Sequence, residues 1–290
     1  MRWLLAGTLL VLGLVVPSTS QAGDDLFAIA NNGTGAPRFT VNKFGRNSDA
    51  DTTEDSIYEG SDLGGPIRCF ADLATTAVAL YVSSDDPSDA SDGAKPVTIT
   101  VEALDANWEP VTIVQALGAT VGATGSALTQ IGSVTLMRVN RAYVSSTNPA
   151  LGNIYINADG VDAGPDGVPD NRATKLVTGI VIGENQTLQA CYTVPAGYNA
   201  FLTQFCTTNI NTVANAVATF RLRKAVEGAA SRVQELLELA ESVYQCTLHD
   251  PPIKFGEKTD IELTTDSSAN NASASGTFDL VLISNTLSGL

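Results

Sequence analysis

The sequence predicts an all-β protein: an antiparallel β-sandwich of jelly-roll-like character, in two β domains preceded by an extended N-terminal arm. Three observations carry that expectation. Short apolar runs rich in Val, Ile and Thr alternate with turn signals from Ile67 onward, at the spacing of a sandwich rather than of strand–helix–strand units. Hydrophobic residues make up 44% of the 290 and charged residues only 16%, which can fill a core and excludes a disordered polyelectrolyte. The polar remainder is dominated by Thr, Gly, Asn and Ser, residues suited to strands joined by tight turns.

Segment by segment, residues 1–22 read as a cleavable secretory leader. Arg2 precedes the apolar run Leu4 to Val16, and Pro17 leads into small residues ending Ser20-Gln21-Ala22, the order of charged, hydrophobic and cleavage regions that secretion requires. The run is too short for a permanent membrane anchor, which takes about 20 apolar residues. Residues 23–66 carry isolated hydrophobes (Phe27, Phe39, Val41, Phe44, Ile57, Tyr58) among Asn, Gly, Asp and Ser. That pattern is too sparse to predict regular structure, and the segment is expected to be an extended arm.

Residues 67–195 are expected to form the first sandwich. Ala77 to Ser83 runs into the acidic turn Asp85-Asp86-Pro87-Ser88-Asp89, and Val97 to Leu104 alternates β-branched residues. Asp105-Ala106-Asn107 then turns the chain into Trp108 to Val114, a hairpin. Val134 to Val144, Asn153 to Asn157, Thr174 to Ile182 and Leu188 to Val194 continue the meander. Residues 196–290 supply the second sandwich through Tyr198 to Thr207, Ala216 to Lys224, Ile261 to Thr265 and Thr277 to Ser284. Between them, Ser231 to Tyr244 places Val233, Leu236, Leu237, Ala240 and Tyr244 at helical spacing, so periodicity alone reads a helix there.

The formal charge of −15 repels phosphate backbones unless basic residues gather on one face. The densest basic positions (Arg138, Arg141, Arg172, Lys175, Arg221, Arg223, Lys224) are interrupted by acidic stretches without interleaved aromatics, so nucleic acid is not an expected partner. Nucleophilic triads need an imidazole, and the single histidine, His249, sits beside Asp250-Pro251-Pro252, where an exposed loop position is expected. Aromatics are 6% of the chain, too few to line a sugar-stacking cleft between paired carboxylates. The chain is not expected to be an enzyme.

Two features leave alternatives open. Cys69, Cys191, Cys206 and Cys246 lack the close spacing of zinc or dithiol motifs; four buried free thiols are the favoured expectation, with disulfides the alternative if the chain matures in an oxidising compartment. The loop Asn157 to Asn171 offers Asp159, Asp162, Asp166 and Asp170 among glycines, hard oxygens of the type calcium prefers. It lacks the terminal bidentate Glu of an EF-hand, and an ordinary solvated loop is the competing expectation. No other cofactor is expected. The run Asp49, Asp51, Glu54 and Asp55 reads as a solvated charge cluster or as a partner-neutralising patch.

Val41-Asn42-Lys43-Phe44-Gly45-Arg46-Asn47-Ser48-Asp49-Ala50-Asp51-Thr52 with Tyr58-Glu59-Gly60 resembles the opening signature of virion structural proteins from tailed marine bacteriophages. Ile99 to Trp108, Leu136-Met137-Arg138-Val139, Glu184 to Leu188, Tyr192 to Gly197, Phe220 to Arg223, Phe255 to Ile261 and Ser275 to Ile283 follow in the family's order. The resemblance implies a non-enzymatic role in the particle (capsid decoration, tail or fibre) with copies of itself and other virion proteins as partners. It also implies a strand where Ser231 to Tyr244 has helical periodicity. The leader is a departure from the family. The rival expectation is therefore a secreted or cell-surface β-sandwich adhesin or carbohydrate-binding module, calcium-dependent, with a host surface glycan as partner. A capsule-degrading tail enzyme ranks last.

Overall fold

The computed structural model describes residues 38–70, 75–210, 216–240, 243–269 and 272–285; the expected leader, and the arm up to residue 37, lie outside them. Eighteen strands occur among the described residues. In chain order they are β1 (Arg38–Ala50), β2 (Asp55–Ser56), β3 (Tyr81–Ser84), β4 (Thr98–Asp105), β5 (Pro110–Ala116), β6 (Thr120–Val121), β7 (Gly125–Ser126), β8 (Thr129–Gln130), β9 (Leu136–Val144) and β10 (Ile154–Asn157). After one helical turn at Arg172–Lys175 come β11 (Leu176–Ile180), β12 (Cys191–Thr193), β13 (Tyr198–Ile210), β14 (Ala218–Val226), β15 (Arg232–Leu239), β16 (Tyr244–Phe255), β17 (Thr259–Ser267) and β18 (Ala272–Ser284). The protein is all-β and antiparallel, as its composition predicts.

One pair of sheets has the strand orders β1-β18-β13-β16 and β12-β17-β14-β15, with β2 added against β17. Their inner faces enclose a core of Ile57, Leu202, Phe205, Phe220, Leu222, Phe255, Leu263, Phe278 and Leu280. β18 alternates strictly between buried and half-buried positions from Ala272 to Ser284, the period-two pattern of a strand with one face in a core. The other pair of sheets, β11-β10-β3-β8 and β5-β4-β9, encloses Leu80, Val82, Val97, Ile99, Val101, Ile131, Ile154, Ile156 and Ile180. The expected hairpin is present, with Leu104 paired to Pro110 and Thr98 to Ala116. Trp108 sits in its turn with φ 65°, and the indole is buried.

Two expectations about local structure are corrected. The stretch from Arg38 to Ala50, too polar to predict as regular, is a thirteen-residue strand paired with β18 along most of its length. Main-chain hydrogen bonding to β18 supplies what its side chains do not advertise. Gly45 explains the glycine of the polar tract: a Cβ there would collide with the Ile57 carbonyl oxygen and the Ala190 amide nitrogen, so β1, the segment after β2 and the lead into β12 cross where only hydrogen fits. His249 is not on an exposed loop. It lies in β16, stacks on Phe205 at 5.9 Å between ring centroids and places Nε2 3.3 Å from Glu235 Oε2.

Arg232–Leu239 is a strand despite its helical periodicity. It pairs with β14 at one edge of its sheet, and only Leu239 of its apolar residues is fully buried. Cross-strand pairing outweighs helix propensity because β14 presents a ready ladder, while a helix would leave that edge uncovered.

Candidate functional site

The chain's polar chemistry gathers along a buried seam where the two pairs of sheets meet. Arg138 on β9 holds Asp260 on β17 in a two-pronged ion pair, Nε to Oδ1 at 3.0 Å and Nη2 to Oδ2 at 3.1 Å. Both side chains are almost wholly buried. The guanidinium also donates to the Met137 carbonyl at 2.7 Å and lies over Trp108, 5.0 Å from the ring centroid. A planar cation with a fixed fork suits this position, being satisfied in plane by the carboxylate and above by the aromatic face. Thr193 Oγ1 donates to the same Asp260 carboxylate.

Asn140, also on β9, closes the seam against β12: Thr193 N–H donates to its Oδ1 at 2.8 Å and its Nδ2 donates to the Thr193 carbonyl at 3.1 Å. Gln189 reaches across, donating to the Val139 and Asn140 carbonyls at 3.1 and 2.9 Å while accepting from the Thr178 hydroxyl at 2.6 Å. Lys43 of β1 enters the same seam and donates to the Asn140 carbonyl. Burial holds its amine down at about 7, with the Arg141 charge adding to the effect and Glu102 opposing it. Lys43, Glu102, Asn140, Arg141 and Tyr192 line a cleft of about 400 Å³ between β1 and the sheet of β4, β5 and β9.

Residues 54–70 form a strap across the outer side of β17 and β14. Arg223 clasps Glu54 through Nε and through Nη2, the latter at 2.6 Å, and Arg68 pairs with Glu262. Burial pushes the Glu54 carboxyl up, but the bonds from Arg223 and Thr264 outweigh it and hold the group below its usual range. Two neighbouring acids behave oppositely. Burial, then the Asp51 charge, raises Asp55 to about 6; burial, then Glu184 and Asp62, raises Glu59 to about 7.

The cysteines correct the favoured expectation of free thiols. Cys69 is bonded to Cys191, tying the strap to β12, and Cys206 to Cys246, joining β13 to β16 in register. An even cysteine count behind an apolar leader was the signal available for this outcome. The pairing itself depends on a fold that brings residues 122 positions apart to one place.

The structure does not bring Asp159, Asp162, Asp166 and Asp170 together. Among the described residues, one trio of metal-competent side chains has its ligand atoms within 4.8 Å of one another, Cys69, Cys191 and Glu262, and its sulfurs are spent in a disulfide. The loop acids accept hydrogen bonds from within the loop. Asp162 accepts from Gly167 N–H at 3.0 Å, Asp166 from Val168 N–H at 2.9 Å, Asp170 from Ala163 N–H at 2.6 Å and Asp159 from Asn171 Nδ2 at 2.7 Å. Each carboxylate holds backbone or amide donors, the usual role of Asp in a turn.

The strongest surface feature is at one side of the first pair of sheets, where β15 and β16 are both edge strands. Val233 and Leu236 on β15, with Tyr244 and Leu248 on β16, stand in solvent, Leu248 at 74% exposure and Tyr244 at 65%. Apolar side chains of that size on an open strand edge favour contact with another surface. No helix among the described residues is long and apolar enough to cross a membrane.

No known family profile matches the chain, and no curated protein matches it. Among solved structures, the chain is similar to one from the naturally occurring empty particles (top component) of cowpea mosaic virus, at 8% identity and TM-score 0.21, covering 70% of this chain and 81% of that one. A chain of infectious bursal disease virus, Gx strain, aligns at 8% identity and TM-score 0.25, over 86% of this chain and 72% of its own. The VP2 subviral particle of the same virus aligns at 10% identity and TM-score 0.19, with the same coverage.

Proposed function

We propose that this chain is a non-enzymatic structural protein of a tailed-phage particle, a capsid decoration, tail or fibre component, that works by mating with copies of itself and with other virion proteins. The observation that carries the proposal is the fate of its polar groups. Arg138 with Asp260 in the seam and Arg223 with Glu54 in the strap are committed to one another, while large apolar side chains are left exposed on the two edge strands β15 and β16. Strand edges that offer large apolar side chains suit association with another surface. The ordered series of motifs from Val41 to Ile283 supports the phage assignment. Mass spectrometry of purified particles, from the genome that encodes the chain, tests it; particles lacking the protein would rule it out.

One observation favours a second reading, a secreted or cell-surface adhesin or carbohydrate-binding module. Two disulfides behind a leader-like run suit a chain that matures in an oxidising compartment. Cleavage after Ala22 on secretion, together with glycan-array binding lost on chelation of calcium, would establish it in place of the first. Calcium at the Asp159–Asp170 loop belongs to this reading. The division of the chain into domains at residues 195 and 196 is likewise proposed, with β1, β2 and β12 lent by the earlier residues to the sheets of the later ones.

A further inference from the structure

Lys43 is the chain's anomalous cation. It is 6% exposed, on β1 at the edge of its sheet. Among the described residues no carboxylate oxygen lies within ion-pair distance of its ammonium nitrogen, although the chain carries an excess of acids. Its ammonium nitrogen donates to a main-chain oxygen, that of Asn140, which also receives Gln189. A buried ammonium without a counter-charge is costly, whereas a neutral amine satisfies that carbonyl with one N–H and keeps its lone pair unshared. The charged groups around it work against each other: Glu102 on β4 and Arg141 on β9 are register partners across those strands. Tyr192 on β12 faces the same cleft, with its phenol kept neutral by burial.

We infer that Lys43 is a nucleophilic amine serving a covalent capture site, and that the cleft beside it admits small carbonyl compounds, aldehydes above all, which it binds as an imine. The amine nitrogen attacks the carbonyl carbon, both amine protons leave with the carbonyl oxygen as water, and the C=N bond replaces C=O. No oxidant or reductant is required. The cleft of about 400 Å³ is in the size range of small-molecule sites, which favour the junctions between packed units. A neutral lysine is the activated form for this chemistry, whether burial or a neighbouring cation such as Arg141 keeps it so. At pH 7 an amine of pKa near 7 is about half neutral, while an ordinary lysine is neutral in roughly one molecule in 2,500.

The test uses the intact protein with formaldehyde as probe and cyanoborohydride to trap the imine, followed by peptide mass mapping across pH. Lys43 is expected to label at least about tenfold faster at pH 7 than the exposed Lys95 and Lys175, with a rate that reaches half its maximum near pH 7. Arg141→Gln is expected to move that midpoint up, by removing a like charge, and Glu102→Gln to move it down. A merely accessible lysine would show neither shift. An unlabelled Lys43, or one whose rate climbs to pH 10 alongside Lys95, overturns the inference.

Discussion

The two pairs of sheets are built on the same antiparallel plan and use their acids in opposite ways. In the pair built on β3, β4, β9 and β10, carboxylates hold backbone. Asp89, fully buried, accepts from Leu151 N–H at 2.9 Å, Gly152 N–H at 3.0 Å and the Ser84 hydroxyl at 2.7 Å. Asp85 takes Asn153 N–H at 2.6 Å and the Tyr155 hydroxyl at 2.9 Å. In the pair built on β13, β14, β17 and β18, carboxylates hold arginines: Asp260 with Arg138, Glu54 with Arg223, Glu262 with Arg68 and Asp266 with Arg221. The difference follows strand length. β13 and β18 run thirteen residues each and satisfy their backbone by ladders, while β3 and β10 run four and leave turns to be capped.

The comparison can be broken most strongly at the ion pairs. Asp260→Ala, which removes the buried acceptor from Arg138, is expected to cost about 3–5 kcal/mol in urea unfolding. Asp89→Ala deprives the buried Gly152 N–H and the half-buried Leu151 N–H of an acceptor and is expected to cost about 2–4 kcal/mol; a loss under about 1 kcal/mol would show that backbone capping is dispensable there. Replacing Cys206 and Cys246 by Ser opens a 40-residue loop, with an expected loss of about 2–4 kcal/mol under the same conditions. At the mild end, Asp162→Ala on the half-exposed loop is expected to cost about 1 kcal/mol or less.

Acidity sharpens the contrast further. Glu59 and Asp55 have folded pKa values raised to about 7 and about 6, so the folded state binds protons before the unfolded state does. Their burden on stability is full above pH 7 and is relieved as pH falls from about 7 toward the ordinary carboxylate range. Lys43 carries the reverse arrangement. Its amine, held at about 7 when folded, imposes a burden that is absent above the ordinary lysine range, grows as pH falls through it and levels off just below pH 7, so it opposes the acids only at the upper end of the window. Melting temperature is therefore expected to rise between pH 7.5 and 5. Glu59→Gln is expected to remove most of that rise; an unchanged slope would assign it to other groups.

The polar tract shows where legibility ended. Phe44-Gly45-Arg46 reads in sequence as a turn-rich arm, because side-chain pattern is the signal and β1 is stabilised by main-chain pairing with β18, more than two hundred residues away. Gly45→Ala tests that crossing, with an expected loss of about 1–3 kcal/mol from backbone overpacking. The hairpin at Asp105 was legible because its turn and both strands are contiguous. The cysteines were countable, but their partners lie 122 and 40 residues apart. The Asp-rich loop was legible from composition, but the hydrogen bonds its carboxylates accept from the loop's own donors are not encoded there. Lys43 carried no signal at all, since one lysine in a polar run is ordinary until something buries it.

What the sequence determined by itself was the all-β class, most strand positions and the scarcity of nucleophile–base pairs, because period-two patterning, turn residues and residue counts are local properties of the chain. Tertiary structure alone decided which charges meet, which sulfurs bond and that Lys43 loses its solvent. Those outcomes depend on contacts between distant segments, whose free energies exist only once the sheets have assembled around them.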